Sequence, residues 1–399
     1  MKYLKEALNQ STEPLSESEQ WQRVLEGWDI ESIQSARRNP LQEYPGRVEL
    51  SRPELSFTGN DLVFTTLDDL SKNVTPDPSS PIRVWLDAEM IKAQESNYGV
   101  SATYPTINRS YRLPSAAAWK LSLLASNGQL IRDQEDDLSW LDMRNIFNDA
   151  HIAVAGASVG SRIAHSIRQT IMPGKISIAD PKGPISRNFN RTDLTVHDIQ
   201  ESKAIGFARH CHDQDPFALI DVYPDGFTTG NIDNLFVGRP DIFIEETDTV
   251  AQSTLLAGKI EMRKKARQNR VPFIMISDLG TLCIVDCMRY DLAPNHPLAI
   301  NVRDDEVEDA LRSGDFYKVA SMLVGQDNLH AGVFGKELRG ETTSPYTLQS
   351  PPQIGIATNG GAALAGSLVA SILLGDEMPF SFRLKQDFNS HALMTKQLQ

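Results

Sequence analysis

The sequence predicts an α/β protein: a doubly wound, mostly parallel sheet with a smaller N-terminal α+β domain. Three observations predict it. From about residue 116 onward, short apolar runs alternate with amphipathic stretches, the order that builds a parallel sheet with helices on both faces. HIAVAGASVGSRIAHSI, beginning at His151, joins a short apolar strand to a helix start through a glycine turn. ISIAD then forms a second strand ending in Asp180, 24 residues after Gly156. An acid about 20 residues beyond such a turn is how a sheet of this kind holds a nucleotide.

The elements follow in order. Residues 1 to about 45 read as helical, with polar and apolar positions mixed from Glu17 to Arg38. Arg47–Leu50, Leu55–Phe57 and Leu62–Thr66 read as short strands, Asn73–Pro81 as a Pro/Ser loop and Ile82–Leu86 as another strand. Residues 1–115 are therefore expected to form the N-terminal domain, either a recognition module or a scaffold extension of the core. In the Rossmann-like domain, 116–375, the expected strands are Ile152–Ala155, Lys175–Ala179, Leu219–Val222, Ile242–Glu245, Phe273–Ser277 and Leu282–Asp286. Helices fit Ser161–Ile171, Glu201–His212 and Thr249–Gln268. Gly360–Leu374 reads as a small-residue helix, too short for a membrane span and suited to a core or dimer contact. Residues 376–399 are left as a C-terminal tail.

Composition narrows the function. The 399 residues are 40% apolar, with a net charge of −13 that argues against a nucleic-acid partner by bulk electrostatics. It does not exclude ATP, whose phosphates need only a local basic site. Mean hydropathy of −0.31 and the lack of an apolar N-terminal core lead us to expect a cytoplasmic protein without a membrane partner. Three cysteines suit a reducing compartment.

The chemistry concentrates after the glycine turn. Gly156, Ala157, Ser158 and Gly160 would let backbone N–H groups approach phosphate at a helix N-terminus. A tight turn of no function would look similar. Asp180 is placed to accept ribose hydroxyls. Arg187, Asn188, Asn190 and Arg191 share the next loop, and Lys203 follows at a helix start. A pyrophosphate is already served by a glycine turn, whereas a triphosphate being cleaved needs cations and amide donors on its outer oxygens. FIEETD (Phe243–Asp248) ends a third strand in acids; Asp248 suits Mg²⁺ between phosphates. Glu245 and Glu246 fit a supporting role or a helix start that favours negative charge.

ADPKGPISRNFNR resembles the D-x-D-x-x-x-x-S-N-L-N-R loop of the ThiF/MoeB/E1-like activating enzymes, and FIEETDT resembles their L-D-C-T-D-N strand end. The resemblance covers about Asn127 to Gly375. It implies a homodimer that binds ATP and Mg²⁺ and adenylates a carboxylate. By that resemblance Asp180 binds ribose, Asn188, Arg191 and Lys203 bind phosphates, and Asp248 holds Mg²⁺. Arg132 stands for the arginine that reaches the γ-phosphate from the partner subunit. The GASVG form and Arg339–Gln353 resemble a bacterial branch of that family whose functional neighbours are stand-alone enzymes of ribosomal-peptide maturation, of the pantocin and microcin type. That implies a peptide or small-protein substrate and amide formation or cyclisation.

The chain also departs from the family. The glycine turn is irregular, and Lys182 stands where the second acid of D-x-D is expected. The paired CxxC zinc motifs are missing, so no zinc is expected. Cys283 and Cys287 share one face of a strand and read as buried apolar residues. His210, Cys211 and His212 adjoin on one helix and do not share a face. No cysteine sits in an obvious thioester context, although Cys211 stays open. The alternatives are an NAD-dependent oxidoreductase, a catalytically silent dimeric binding protein, and an activator of a ubiquitin-like protein or sulfur carrier.

Overall fold

The computed structural model describes residues 15–37, 43–54, 57–74, 77–126, 140–227, 230–247, 253–300, 302–325, 353, 355–388 and 392–397. They gather into two compact units. One comprises Met1–Asp149 with Ala208–Asp221, the other Ala150–Phe207 with Val222–Gln399.

In the first unit, α1 (Glu17–Glu26) starts at a capping box: Ser16 accepts from the Glu19 N–H, and the Glu19 carboxylate reaches back to the Ser16 N–H. Asp29 caps α2 (Ile30–Ala36) by accepting from the N–H groups of Glu31 and Ser32. A four-stranded sheet is ordered β1-β3-β4-β2, from Glu49–Ser51 (β1), Asn60–Asp61 (β2), Val100–Tyr104 (β3) and Arg109–Leu113 (β4). Its core joins Ile33, Val48, Val100, Ala102, Leu113 and Phe217. Two segments expected as strands are helical. Leu62–Thr66 opens α3 (Val63–Asn73), and Ile82–Leu86 lies in α4 (Pro81–Lys92). Pro81 at the first helical position needs no N–H partner there, which favours the helix. The unit is completed by α5 (Ala116–Ser126) and α6 (Trp140–Asp149).

The second unit carries an eight-stranded sheet ordered β12-β11-β10-β9-β8-β5-β6-β7, apart from Ile220 and Asp221 of its last strand, which fall in the first unit. Its strands are His151–Ala155 (β5), Lys175–Ala179 (β6), Ile220–Tyr223 (β7), Ile242–Glu245 (β8), Phe273–Leu279 (β9), Leu282–Met288 (β10), Ser381–Asp387 (β11) and Ala392–Gln397 (β12). Strand β5 pairs parallel with β6 on one side and β8 on the other, and β8 pairs parallel with β9. From β9 to β12 the pairing is antiparallel. Every residue of β5, β8, β9 and β10 is buried, as expected of strands covered on both faces. A core of Phe236, Phe243, Phe273, Tyr290 and surrounding aliphatics fills one side. The stretch expected as a tail supplies β11 and β12.

The helices are α7 (Val159–Ile171), α8 (Lys203–Gln214), α9 (Ile232–Val237), α10 (Ser253–Gln268), α11 (Asp304–Ser313), α12 (Phe316–Val324) and α13 (Gly355–Leu374). Helix α13 begins five residues earlier than expected (360 − 355 = 5), and its 20 residues are long and apolar enough to cross a membrane by length and composition. Its face of Ala357, Thr358, Gly361, Ala362, Ala365, Gly366, Val369 and Ile372 is nonetheless buried. Gly361 brings it close to the sheet: a Cβ there would lie 3.1 Å from both Cys283 Sγ and Ile276 Cγ2.

Candidate functional site

Strand β5 has β6 on one side and β8 on the other, so the chain reverses direction across the sheet at β5. The crevice outside the carboxyl ends of such strands is where open α/β sheets bind ligands. Ala155, Ala179 and Glu245 end the three strands there. Gly156 follows β5 at φ +95°, and its N–H donates to the Ala179 carbonyl at 2.8 Å. A Cβ on Gly156 would stand 2.7 Å from the Glu246 carbonyl oxygen. The turn is therefore glycine because of both its φ and the β8 backbone beside it.

Asp180 is buried, and both of its oxygens accept from the surrounding chain. Its Oδ2 accepts from the Ala157 N–H at 3.0 Å and its Oδ1 from the Lys182 N–H at 2.8 Å. Lys203 Nζ lies 3.3 Å from both oxygens. Lys203 is buried too, and its backbone N–H donates to the Lys182 carbonyl. The structure thus brings Lys203 onto the acid expected to meet ribose. The Lys182 side chain is exposed.

Ser158 precedes α7. Its Oγ is buried without a hydrogen-bond partner among the described residues. An orphaned hydroxyl at a helix N-terminus fits an anion at that end. Next to it the Gly160 N–H is already taken: Glu246 Oε2 accepts from it at 3.0 Å. The reading of Glu246 as an acid at a helix start thus describes its place, but the helix is α7, which precedes it in the sequence.

The loop after Asp180 closes on itself. Ser186–Asn188 is a single 3-10 turn, and Asn188 Oδ1 accepts from the Ile185 N–H at 2.9 Å. The Asn188 carbonyl accepts from the N–H groups of Arg191 and Thr192. These bonds turn Arg191 inward. Its Nε donates to Gln353 Oε1 at 2.7 Å and its Nη1 to Asn190 Oδ1 at 3.2 Å. Gln353 also pairs by backbone with Gly280 at the end of β9.

Glu245 lies beneath the crevice with no exposed surface. Burial alone would raise its carboxyl, but Lys259 at 2.7 Å and Arg263 at 3.8 Å outweigh that and hold it below the usual carboxylate range. Thr247 donates to the same Oε1 through its N–H and its hydroxyl. Lys259 Nζ donates in turn to the Thr247 carbonyl. This network fixes the β8 end from which Asp248 follows.

Asp248, Arg132 and Arg339–Pro352 lie outside the described residues. The described members of the set, Gly156, Ala157, Ser158, Gly160, Asp180, Asn188, Arg191 and Lys203, all belong to the second unit. Cys283 and Cys287 are free and fully buried on β10; burial pushes both thiols up, Cys287 to about 12. His212 is a structural residue of the first unit: Tyr44 and Arg37 engage its two ring nitrogens. No group of three His, Cys, Asp or Glu among the described residues could hold a metal ion. The sequence reading missed Gln353 and Asp278 beside Arg191. Asp278 had a legible signal, an acid inside the apolar run FIMISDL; Gln353 had none.

No family model matches the chain. A Mycobacterium tuberculosis protein (strain CDC 1551 / Oshkosh), "Uncharacterized protein MT1398", is 29% identical over 167 residues. That match spans 42% of this chain but only 22% of the relative's own length. Among solved structures the chain is similar to PaaA, with a TM-score of 0.46 and 12% identity over 70% of this chain and 82% of that one. It is also similar to E. coli MccB with AMPCPP and MccA, at 0.43 and 10%, covering 88% and 96%. A third is the E. coli tRNA N6-threonylcarbamoyladenosine dehydratase TcdA with AMP, at 0.39 and 19%, covering 58% and 88%.

Proposed function

We propose that this chain is an ATP-dependent activating enzyme that adenylates a carboxylate. The observation that carries the reading is the Asp180–Lys203 pair against the Ala157 N–H, with Arg191 turned inward beside it. That set offers an acid for ribose hydroxyls, two cations for phosphates and a helix N-terminus, all from the carboxyl ends of adjacent strands. A substrate carboxylate oxygen attacks the α-phosphorus of ATP. The P–O bond to the β-phosphate breaks, leaving an acyl-adenylate and pyrophosphate. Arg191 and Lys203 orient the phosphates and offset the charge that shifts toward the leaving group. We assign Mg²⁺ to Asp248 and a partner-subunit role to Arg132 in a cytoplasmic homodimer.

The acyl group is then captured by an amine or amide nitrogen, which expels AMP and forms an amide or a ring. We infer that the acyl donor is a ribosomally made peptide held by the N-terminal domain, 1–115. In the first unit a cavity of about 570 Å³ is lined by Trp21, Trp28 and Trp85, with Glu26 and Asp29 exposed beside them. An aromatic pocket with an acidic rim suits a peptide segment that pairs an apolar anchor with basic neighbours.

Pyrophosphate release in the presence of ATP, Mg²⁺ and a candidate peptide tests the reading. We expect release that requires the peptide and is lost in Arg191→Ala. Stabilisation by NAD but not by ATP·Mg in a thermal shift would overturn it. The Glu246 carboxylate on the Gly160 N–H favours a second reading, a silent dimeric binding protein. On that reading neither nucleotide shifts the melting temperature.

A further inference from the structure

Three backbone donors of the glycine turn after β5 are already spent within the protein. The Gly156 N–H donates to the Ala179 carbonyl, the Ala157 N–H to Asp180 and the Gly160 N–H to Glu246 Oε2. The Ser161 hydroxyl turns back to the Ser158 carbonyl at 2.9 Å. Ser158 Oγ, without a partner among the described residues, is one neutral donor beside a carboxylate. Glu246 is buried and held from both sides of its backbone. Its N–H donates to the Ala155 carbonyl at 2.8 Å, and its carbonyl lies against Gly156. From there its side chain reaches Gly160, the second residue of α7, and sets a carboxylate at the helix N-terminus. That is where a fold of this kind holds the pyrophosphate of a dinucleotide.

We propose that Glu246 is a specificity-determining residue: its carboxylate takes the pyrophosphate's place on the Gly160 N–H and excludes nucleotides whose phosphates must lie on the glycine turn. The inference rests on the reading of the crevice at β5 as a nucleotide site. Adenosine is common to ATP and to the adenine dinucleotides, and Asp180 meets their ribose alike. They differ in where their phosphates need support. A dinucleotide lays two bridged phosphates, each carrying a sugar, along the helix N-terminus. It must displace Glu246 or set its own charge beside that of the carboxylate, and like charges so placed cost affinity steeply. A nucleoside triphosphate carries its outer charge past the turn, to Arg191 and Lys203. Glu246 therefore admits ATP and turns dinucleotides away through one contact.

The test titrates the full chain by calorimetry with ATP·Mg and with ADP-ribose. ADP-ribose keeps the adenosine and bridged phosphates of a dinucleotide but needs no nicotinamide pocket. We expect the wild type to bind ATP·Mg and to bind ADP-ribose at least about tenfold more weakly, the scale of one like-charge contact. Glu246→Gln keeps an acceptor for the Gly160 N–H and loses the charge. It should tighten ADP-ribose about tenfold and ATP·Mg by less than about threefold. Glu246→Asp, which retains the charge, should exclude ADP-ribose as the wild type does. A wild type that binds both ligands equally would overturn the proposal, as would a Glu246→Gln variant that tightens both alike. The failure of the underlying reading looks different. If neither the wild type nor Glu246→Gln binds either ligand, the nucleotide site itself fails. If the wild type binds ATP·Mg and Glu246→Gln gains nothing for ADP-ribose, only the exclusion fails.

Discussion

Two buried carboxylates in the second unit answer pH in opposite senses. Glu245 is held below the usual range by Lys259 and Arg263 against the cost of its burial. Its pairing stabilises the fold above the unfolded carboxyl value and is lost as pH falls through the folded one. Asp278 is raised from 3.8 to about 6 by burial. Between those values the native state binds more protons than the unfolded one, so stability falls as pH rises through that window. A rise of that size corresponds to about 3 kcal/mol at neutral pH. Asp278→Asn should therefore raise the unfolding free energy by up to about 3 kcal/mol at pH 7.5 and by little at pH 4, read by urea denaturation. A variant less stable than wild type at pH 7.5 would show that the Asp278 charge is better compensated than its surroundings suggest.

Gly156 decides the geometry of the site at the scale of elements. At φ +95° with the Glu246 carbonyl 2.7 Å from where its Cβ would be, Gly156→Ala must move either the turn or the end of β8. We expect a loss of about 1–3 kcal/mol, typical for a strained backbone position, together with loss of ATP binding. Calorimetry and isothermal titration measure the two. How much was legible varies with the element. The parallel strands were readable because both faces are buried, giving continuous apolar runs such as HIAVA and IFIE. Leu62–Thr66 and Ile82–Leu86 were not, since a run of five apolar-rich residues fits the first turns of a helix equally well. The hairpin β3–β4 hides because its strands are half polar, VSATY and RSYRL. At the site, the acid after β6 and the basic loop that follows it were legible in the sequence, but not that Arg191 turns inward onto Gln353. The bond from Lys203 to Asp180 was not, because it depends on where a helix 23 residues away begins.

At the scale of the whole molecule, the chain builds β5 long before both of its edges can be paired. The His151 N–H donates to Asp241, 90 residues later, and β5 lies between β6 and β8. One edge of β5 can pair as soon as β6 exists. The other must wait for β8, roughly 5–20 s of synthesis at about 5–20 residues per second. During that interval Ile152–Ala155 is an open, wholly apolar edge, the kind of surface that pairs with other chains. Loop closure on this scale also slows folding. Pulsed hydrogen exchange during refolding should show β5 amides and β8 amides gaining protection in one late phase, after the α7–β6 segment. Early protection of β8 without β5 would contradict this order. The crossover at β5 thus keeps the crevice beside it half-built until β8 has been made, while β9 to β12 are still to come.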